Sequence, residues 1–109
     1  MLLDLNAREM ERRAAAIELP HLAVIGGRLV ESLSGATFDN ISPRNGHILN
    51  CTAAGGQEDV DLAVAAARRA FEDGRWRGMA PADRKKILHR LADLMERYAD
   101  ELALLESLY

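Results

Sequence analysis

The chain has 109 residues, a formal charge of −3 and one cysteine, Cys51. These values allow at most one domain, argue against a basic nucleic-acid face, exclude an internal disulfide framework and fit a reducing compartment. Apolar residues make up 49%, but 18 of them are alanine and five are aromatic, so the core is thinner than the percentage suggests.

The first 18 residues pattern as a helix, with Leu3, Met10, Ala14 and Ile17 at near-helical spacing and Pro20 as its stop. Asp4, Arg8, Glu9, Glu11, Arg12 and Arg13 interrupt this stretch too early for a secretory signal. No run approaches the roughly 20 apolar residues of a membrane span, so no membrane partner and a cytoplasmic location are expected. Ala23–Ile25 and Arg28–Glu31 read as a hairpin, because Gly26-Gly27 supplies the positive φ of a two-residue turn. Thr37–Ile41 and His47–Ala53 read as a second strand pair, linked by Ser42-Pro43-Arg44-Asn45-Gly46.

Gly55-Gly56 opens the next helix, expected from about Glu58 to Asp73. Val60, Ala63, Val64, Ala67 and Phe71 share one face, Glu58, Asp59 and Asp61 suit the first turn, and Gly74 is the stop. Leu62 points nearly opposite to that face. A last helical region begins at Pro81, with Ile87, Leu88, Leu91, Leu94, Met95, Tyr98, Leu102 and Leu105 on one stripe. A break near Ala99–Asp100 is expected, with Asp100 as cap of a short second helix. Leu104 and Leu108 fall off the stripe and call for a partner outside the chain. The fold class is α/β, with unmet apolar surface.

No catalytic constellation emerges. Gly55-Gly56 is too short for a phosphate cradle, and three acids follow it. Cys51 lies in a strand pattern with no neighbouring base, which favours a buried, inert thiol. His21, His47 and His89 lack metal-ligand spacing and read as solvated. Arg84, near the apolar stripe, is expected in a buried or interfacial ion pair. Trp76, between Arg75 and Arg77, is expected to anchor the loop joining the last two long helices.

The run Asp59-Val60-Asp61-x-Ala63-Val64-x-Ala66-Ala67-Arg68-x-Ala70-Phe71, then Trp76, resembles the N-terminal region of the NAD(P)-dependent aldehyde dehydrogenases. Arg84, Leu88, Leu91-Ala92-Asp93-Leu94 and Leu102-Ala103-x-Leu105-Glu106-Ser107-Leu108 continue the resemblance. Ile25-Gly26-Gly27 and Ile41-Ser42-Pro43-Arg44-Asn45-Gly46-His47-Ile48 are similar to its Ile-Asn-Gly hairpin and Asn-Pro-x-x-Gly-x-x-Ile turn. The overall tone is that of the branch acting on γ-aminobutyraldehyde-type and betaine-type aldehydes.

The resemblance implies a parent that oxidises an aldehyde through a thiohemiacetal on a cysteine. Hydride passes to NAD or NADP, and a glutamate activates water to release the acid. Those groups and the nucleotide-binding segments lie, in the family, downstream of the matched region. No residue here therefore inherits a catalytic, cofactor-binding or metal role, Cys51 included. The chain is expected to be the N-terminal piece of the fold: about three helices and two hairpins, incomplete without the nucleotide-binding and catalytic parts. Residues 1–19 would be an N-terminal helix and residues 20–109 the scaffold portion of the nucleotide-binding domain. The family continues Glu-Thr/Ser-Leu-Asp-x-Gly-Lys-Pro, whereas Glu106-Ser107-Leu108 is followed here by Tyr109, so no cation site is carried over. A truncated, inactive dehydrogenase that binds no NAD(P) alone is the resulting expectation. Self-association or a complementary polypeptide would be its partner. A non-catalytic interaction module, or one part of a split enzyme, is the alternative.

Overall fold

A computed structural model describes residues 5–109. Helix α1 spans Ala7–Ala15, opened by Asn6, whose side chain accepts the Glu9 amide at 3.0 Å. Glu9 in turn pairs with Arg12 and Arg13 across one turn. The helix is thus shorter than expected at both ends. It stops at Ala16, well before Pro20, and Leu3 lies outside the described residues.

Strands β1 (Ala23–Ile25) and β2 (Arg28–Val30) form an antiparallel hairpin in which Ile25 faces Arg28. Gly26 (φ 59°) and Gly27 (φ 77°) are both left-handed, the geometry whose twist matches the flanking strands. Strands β3 (Thr37–Ile41) and β4 (Ile48–Ala53) form the second hairpin, with an irregularity between Asn40 and Ile41. The segment before β1 is laced to β4. The Ala53 amide donates to the His21 carbonyl at 2.8 Å, and Asn50 Nδ2 donates to the Pro20 carbonyl at 3.0 Å.

Helix α2 (Gln57–Glu72) begins at Gly56. Its polar pin is Asp59, 7% exposed. One carboxylate oxygen accepts the Gly56 amide at 2.9 Å, and the other accepts the Leu33 amide, just past β2, at 3.0 Å. The face that α2 turns to β1 overlaps the most apolar one only at Ala63 and is otherwise its alanine flank. Ala63, Ala66 and Ala70 are half-buried there, and a methyl on Gly26 would lie 3.8 Å from the Ala66 methyl. Small side chains let the hairpin approach the helix closely. Val60, Val64 and Phe71, expected to be buried, remain more than half exposed, as Leu62 nearly does on the other side.

After α2 the chain turns at Gly74 (φ 76°), and the Gly78 amide donates back to the Gly74 carbonyl at 2.7 Å. A Cβ on Gly78 would sit 2.7 Å from that same oxygen, so only glycine closes this loop. Trp76 is 42% exposed rather than anchored beneath it. Arg77 lies over the Phe71 ring, 5.0 Å from its centre. In the same loop Arg75 grips Asp73, holding the Asp73 carboxyl down to about 2. The folded value lies below the ordinary one, so the bond contributes above pH 4 and is lost as pH falls towards 2. Carboxyl NMR titration is expected to find the Asp73 pKa raised in Arg75→Met but still below its ordinary value, because the backbone amide of residue 75 continues to donate to Asp73 Oδ1.

Helix α3 (Pro81–Arg97) and helix α4 (Ala99–Leu108) are separated at Tyr98, as the sequence indicates. The cap is Tyr98 itself, however, and Asp100 lies inside the first turn of α4. After the break α4 packs on α1. Leu104, expected to lack a partner in the chain, is instead 7% exposed, the one buried large apolar side chain among the described residues.

The whole is a slab, 49 × 39 × 17 Å, with a radius of gyration of 17.9 Å. A compact chain of this length would have a radius near 13 Å. Its accessible surface is 8742 Å², where a compact monomer of 12.0 kDa has about 6,000 Å².

Candidate functional site

The chemically capable side chains do not converge. His21, His47 and His89 are all exposed, the first two in the segments leading into β1 and β4 and the third on α3. Among the described residues no group of histidine, cysteine, aspartate and glutamate is arranged to hold a metal ion. Lys86 pairs with Asp83 at 2.9 Å, so the basic run Arg84-Lys85-Lys86 is partly neutralised on its own helix.

Cys51 departs from expectation in position and agrees in character. It is exposed, not buried. Its thiol donates to Asp39 Oδ1 at 3.3 Å, across the rung where β3 and β4 pair these two residues. That hydrogen bond and the negative charge of Asp39 push the thiol pKa up, so the nucleophilic thiolate is disfavoured. The sequence signal was available: the register from Thr37↔Ala53 places Asp39 opposite Cys51. Asp39→Asn is expected to speed modification of Cys51 by iodoacetamide at pH 8. An unchanged rate would mean that Asp39 does not govern the thiol.

The N-terminus of α2 is poorly suited to a dinucleotide phosphate. It is the helix opening nearest to a Gly-rich pair, yet Asp59 already occupies the Gly56 amide, and Glu58 and Asp59 bring negative charge to that turn. A depression of about 530 Å³ lies between α1, the β3–β4 turn and the end of α4. It is open, with Glu11 and Arg44 3.8 Å apart on its rim and His47 among its lining residues.

What remains is a surface. Val64 (62% exposed) and Phe71 on α2, with Leu88, Leu91 and Met95 on α3, present uncovered apolar faces. Arg84 lies beside the α3 stripe, half-buried, with no carboxylate in ion-pair reach among the described residues. Exposed apolar faces of this kind on a folded chain point to an interface.

Helices and antiparallel hairpins arranged in this way define the chain as an α/β piece of the kind that occurs inside larger enzymes. The model of the aldehyde dehydrogenase family matches residues 29–109, and the chain belongs to that family. It is 48% identical over 104 residues to the aminoacetaldehyde dehydrogenase of Pseudomonas aeruginosa, covering 95% of this chain and 21% of that protein. It is 40% identical over 100 residues to human cytosolic 10-formyltetrahydrofolate dehydrogenase, covering 92% of this chain and 11% of that protein. The crystal structure of γ-glutamyl-γ-aminobutyraldehyde dehydrogenase from Burkholderia cenocepacia superimposes with a TM-score of 0.91 at 44% identity, over 95% of this chain and 21% of that one. Indole-3-acetaldehyde dehydrogenase of P. syringae, solved with NAD+, gives 0.90 at 42% identity, again over 95% and 21%. The chain thus spans about a fifth of the length of relatives such as the P. aeruginosa enzyme.

No helix among the described residues is long and apolar enough to cross a membrane.

Proposed function

We propose that this chain is the scaffold portion of an NAD(P)-dependent aldehyde dehydrogenase, supplying packing surface and no reacting group. In the assembled enzyme the reaction is oxidation of an aldehyde to a carboxylic acid, in the cytoplasm. The substrate class is a small aldehyde carrying an amino or amide nitrogen, in line with the aminoacetaldehyde and γ-glutamyl-γ-aminobutyraldehyde dehydrogenases that it resembles. Residues 20–109 form part of the nucleotide-binding domain, and residues 1–19, which contain α1, are its N-terminal extension. By itself the chain neither turns over aldehyde nor binds NAD or NADP.

The observation that carries this reading is the combination of shape and extent. A chain whose radius of gyration is 17.9 Å, far above the compact value, nevertheless keeps the form of one-fifth of a larger dehydrogenase at a TM-score of 0.91. Its outline is that of a component.

The test is a chimera. Residues of the P. aeruginosa aminoacetaldehyde dehydrogenase that align with this chain are replaced by the 109-residue sequence. NADH formation with aminoacetaldehyde is expected from the chimera and none from the 109-residue chain alone. A soluble chimera without activity, or turnover by the chain alone, would overturn the proposal.

A further inference from the structure

We propose that Asn45, in the turn between β3 and β4, is a site of covalent self-modification, where attack by the Gly46 backbone nitrogen converts the side-chain amide to aspartate or isoaspartate. The Gly46 nitrogen bonds to Asn45 Cγ and gives its proton to water. The Cγ–Nδ2 bond breaks, and Nδ2 takes up a proton and leaves as ammonia. The cyclic imide that remains is opened by one water molecule. Attack at Cγ restores the ordinary main chain with aspartate, whereas attack at the Asn45 main-chain carbonyl leaves the chain running through Cγ, as isoaspartate. No oxidant or reductant is needed.

Two features of the turn favour the step. The first is access. Asn45 and Gly46 are both exposed, and a Cβ built on Gly46 would have nothing within 4 Å. With no side chain at this φ of 73°, the nitrogen approaches unhindered. The second is polarisation. The His47 amide donates to Asn45 Oδ1 at 3.0 Å, which draws electron density from Cγ and stabilises the charge that gathers on the oxygen as nitrogen adds. One feature opposes it: the Gly46 amide donates to the Ser42 carbonyl at 2.9 Å and must first let go. A single hydrogen bond in an exposed turn slows the reaction by about tenfold at most.

The same geometry spares the comparable residues. Asn40 and Asn50 are half-buried and bonded to each other at 3.2 Å across β3 and β4, with Ile41 and Cys51 following them. Asn6 caps α1 and precedes Ala7. Asp73-Gly74 repeats the positive φ at glycine, but Arg75 holds the Asp73 carboxyl ionised, and a carboxylate resists a nucleophile.

Modification alters the turn itself. The imide nitrogen has no hydrogen for the Ser42 carbonyl, and in isoaspartate the group that accepted the His47 amide has become main chain. The new carboxylate lies in the residue next to Arg44, where it competes with Glu11 of α1, 3.8 Å from that guanidinium.

The experiment incubates the 109-residue chain for weeks in warm pH 8 buffer, with far-UV circular dichroism confirming that the helices persist. Cleavage after glutamate releases the peptide from Ser32 to Glu58, which carries Asn40, Asn45 and Asn50 together. Fragmentation of that peptide in the mass spectrometer is expected to place the new acid at position 45, mostly as isoaspartate, while Asn40 and Asn50 stay amides. The rate is expected within about tenfold of that of the same chain in urea. Asn45→Gln, which must close a larger ring, is expected to keep its amide over the same period. A folded chain that reacts more than about tenfold slower than the unfolded one would overturn the proposal, because the turn would then be a lock. Aspartate without isoaspartate, or equal loss at Asn40 or Asn50, would overturn it too, since neither needs the Gly46 nitrogen.

Discussion

Replacing Asp59 with alanine is expected to release the β1–β2 hairpin from α2, at a cost of about 2–3 kcal/mol. The carboxylate is 7% exposed and is the shared acceptor of two backbone amides, Gly56 at the helix start and Leu33 after β2. Alanine leaves both N–H groups without a partner where water reaches them poorly. Hydrogen exchange in the active chimera gives the readout: the Leu33 and Gly56 amides should lose about 30-fold protection, the equivalent of 2 kcal/mol. Asp59→Asn keeps one acceptor oxygen and turns an amide N–H towards the other donor, so roughly half of the effect should remain. Protection unchanged in Asp59→Ala would show that the hairpin is held by its apolar contact with Ala66 alone.

Leu104→Ala is expected to be the costliest apolar truncation in the isolated chain, at about 3 kcal/mol. Leu104 is the one buried large apolar side chain among the described residues, on a helix that packs against α1. Removing three heavy atoms there leaves a gap at the most buried apolar position of the described residues. The readout is limited proteolysis with trypsin, where cleavage after Arg12 and Arg13 of α1 should accelerate about 100-fold if opening of α1 precedes it. Leu91→Ala, 53% exposed on α3, is the control and should leave the cleavage rate within a fewfold of wild type. Equal rates for the two variants would mean that α1 is not held through Leu104.

Much of the secondary structure was legible because local rules decide it. Gly26-Gly27 admits few alternatives to a tight turn, Pro81 suits only a helix start, and the β3–β4 turn carries Pro43, Asn45 and Gly46 in working order. The short α1 could have been read more closely. Asn6 followed by Glu9 is a helix-opening signal, and it lies inside the longer stretch that the apolar spacing suggests.

The packing was less legible, for a physical reason. Periodicity identifies the most apolar face of a helix, and on α2 that face is Val60, Val64 and Phe71. Within this chain the neighbour of α2 is a glycine-tipped hairpin, which favours close approach and therefore selects the alanine face. The most apolar face is left over. On α4 the reverse occurred: Leu104 looked stranded on a continuous helix, and the break at Tyr98 brought it against the rest of the chain. The absence of a converging site follows from the same placement. Cys51, the one nucleophile that sequence inspection singled out, faces Asp39 across a strand pair rather than a base.

The thickness of the slab bears on how variants in this region are to be read. In a body 17 Å deep no side chain lies far from either face, so accessibility in the chain alone files Val64, Phe71, Leu88 and Leu91 with the tolerant exterior. Once a second body covers those faces, the same positions carry the penalties of an interior. A substitution survey on the free chain and one on the assembled enzyme would then disagree most at these residues, and the difference between the two maps would trace the missing contact surface residue by residue.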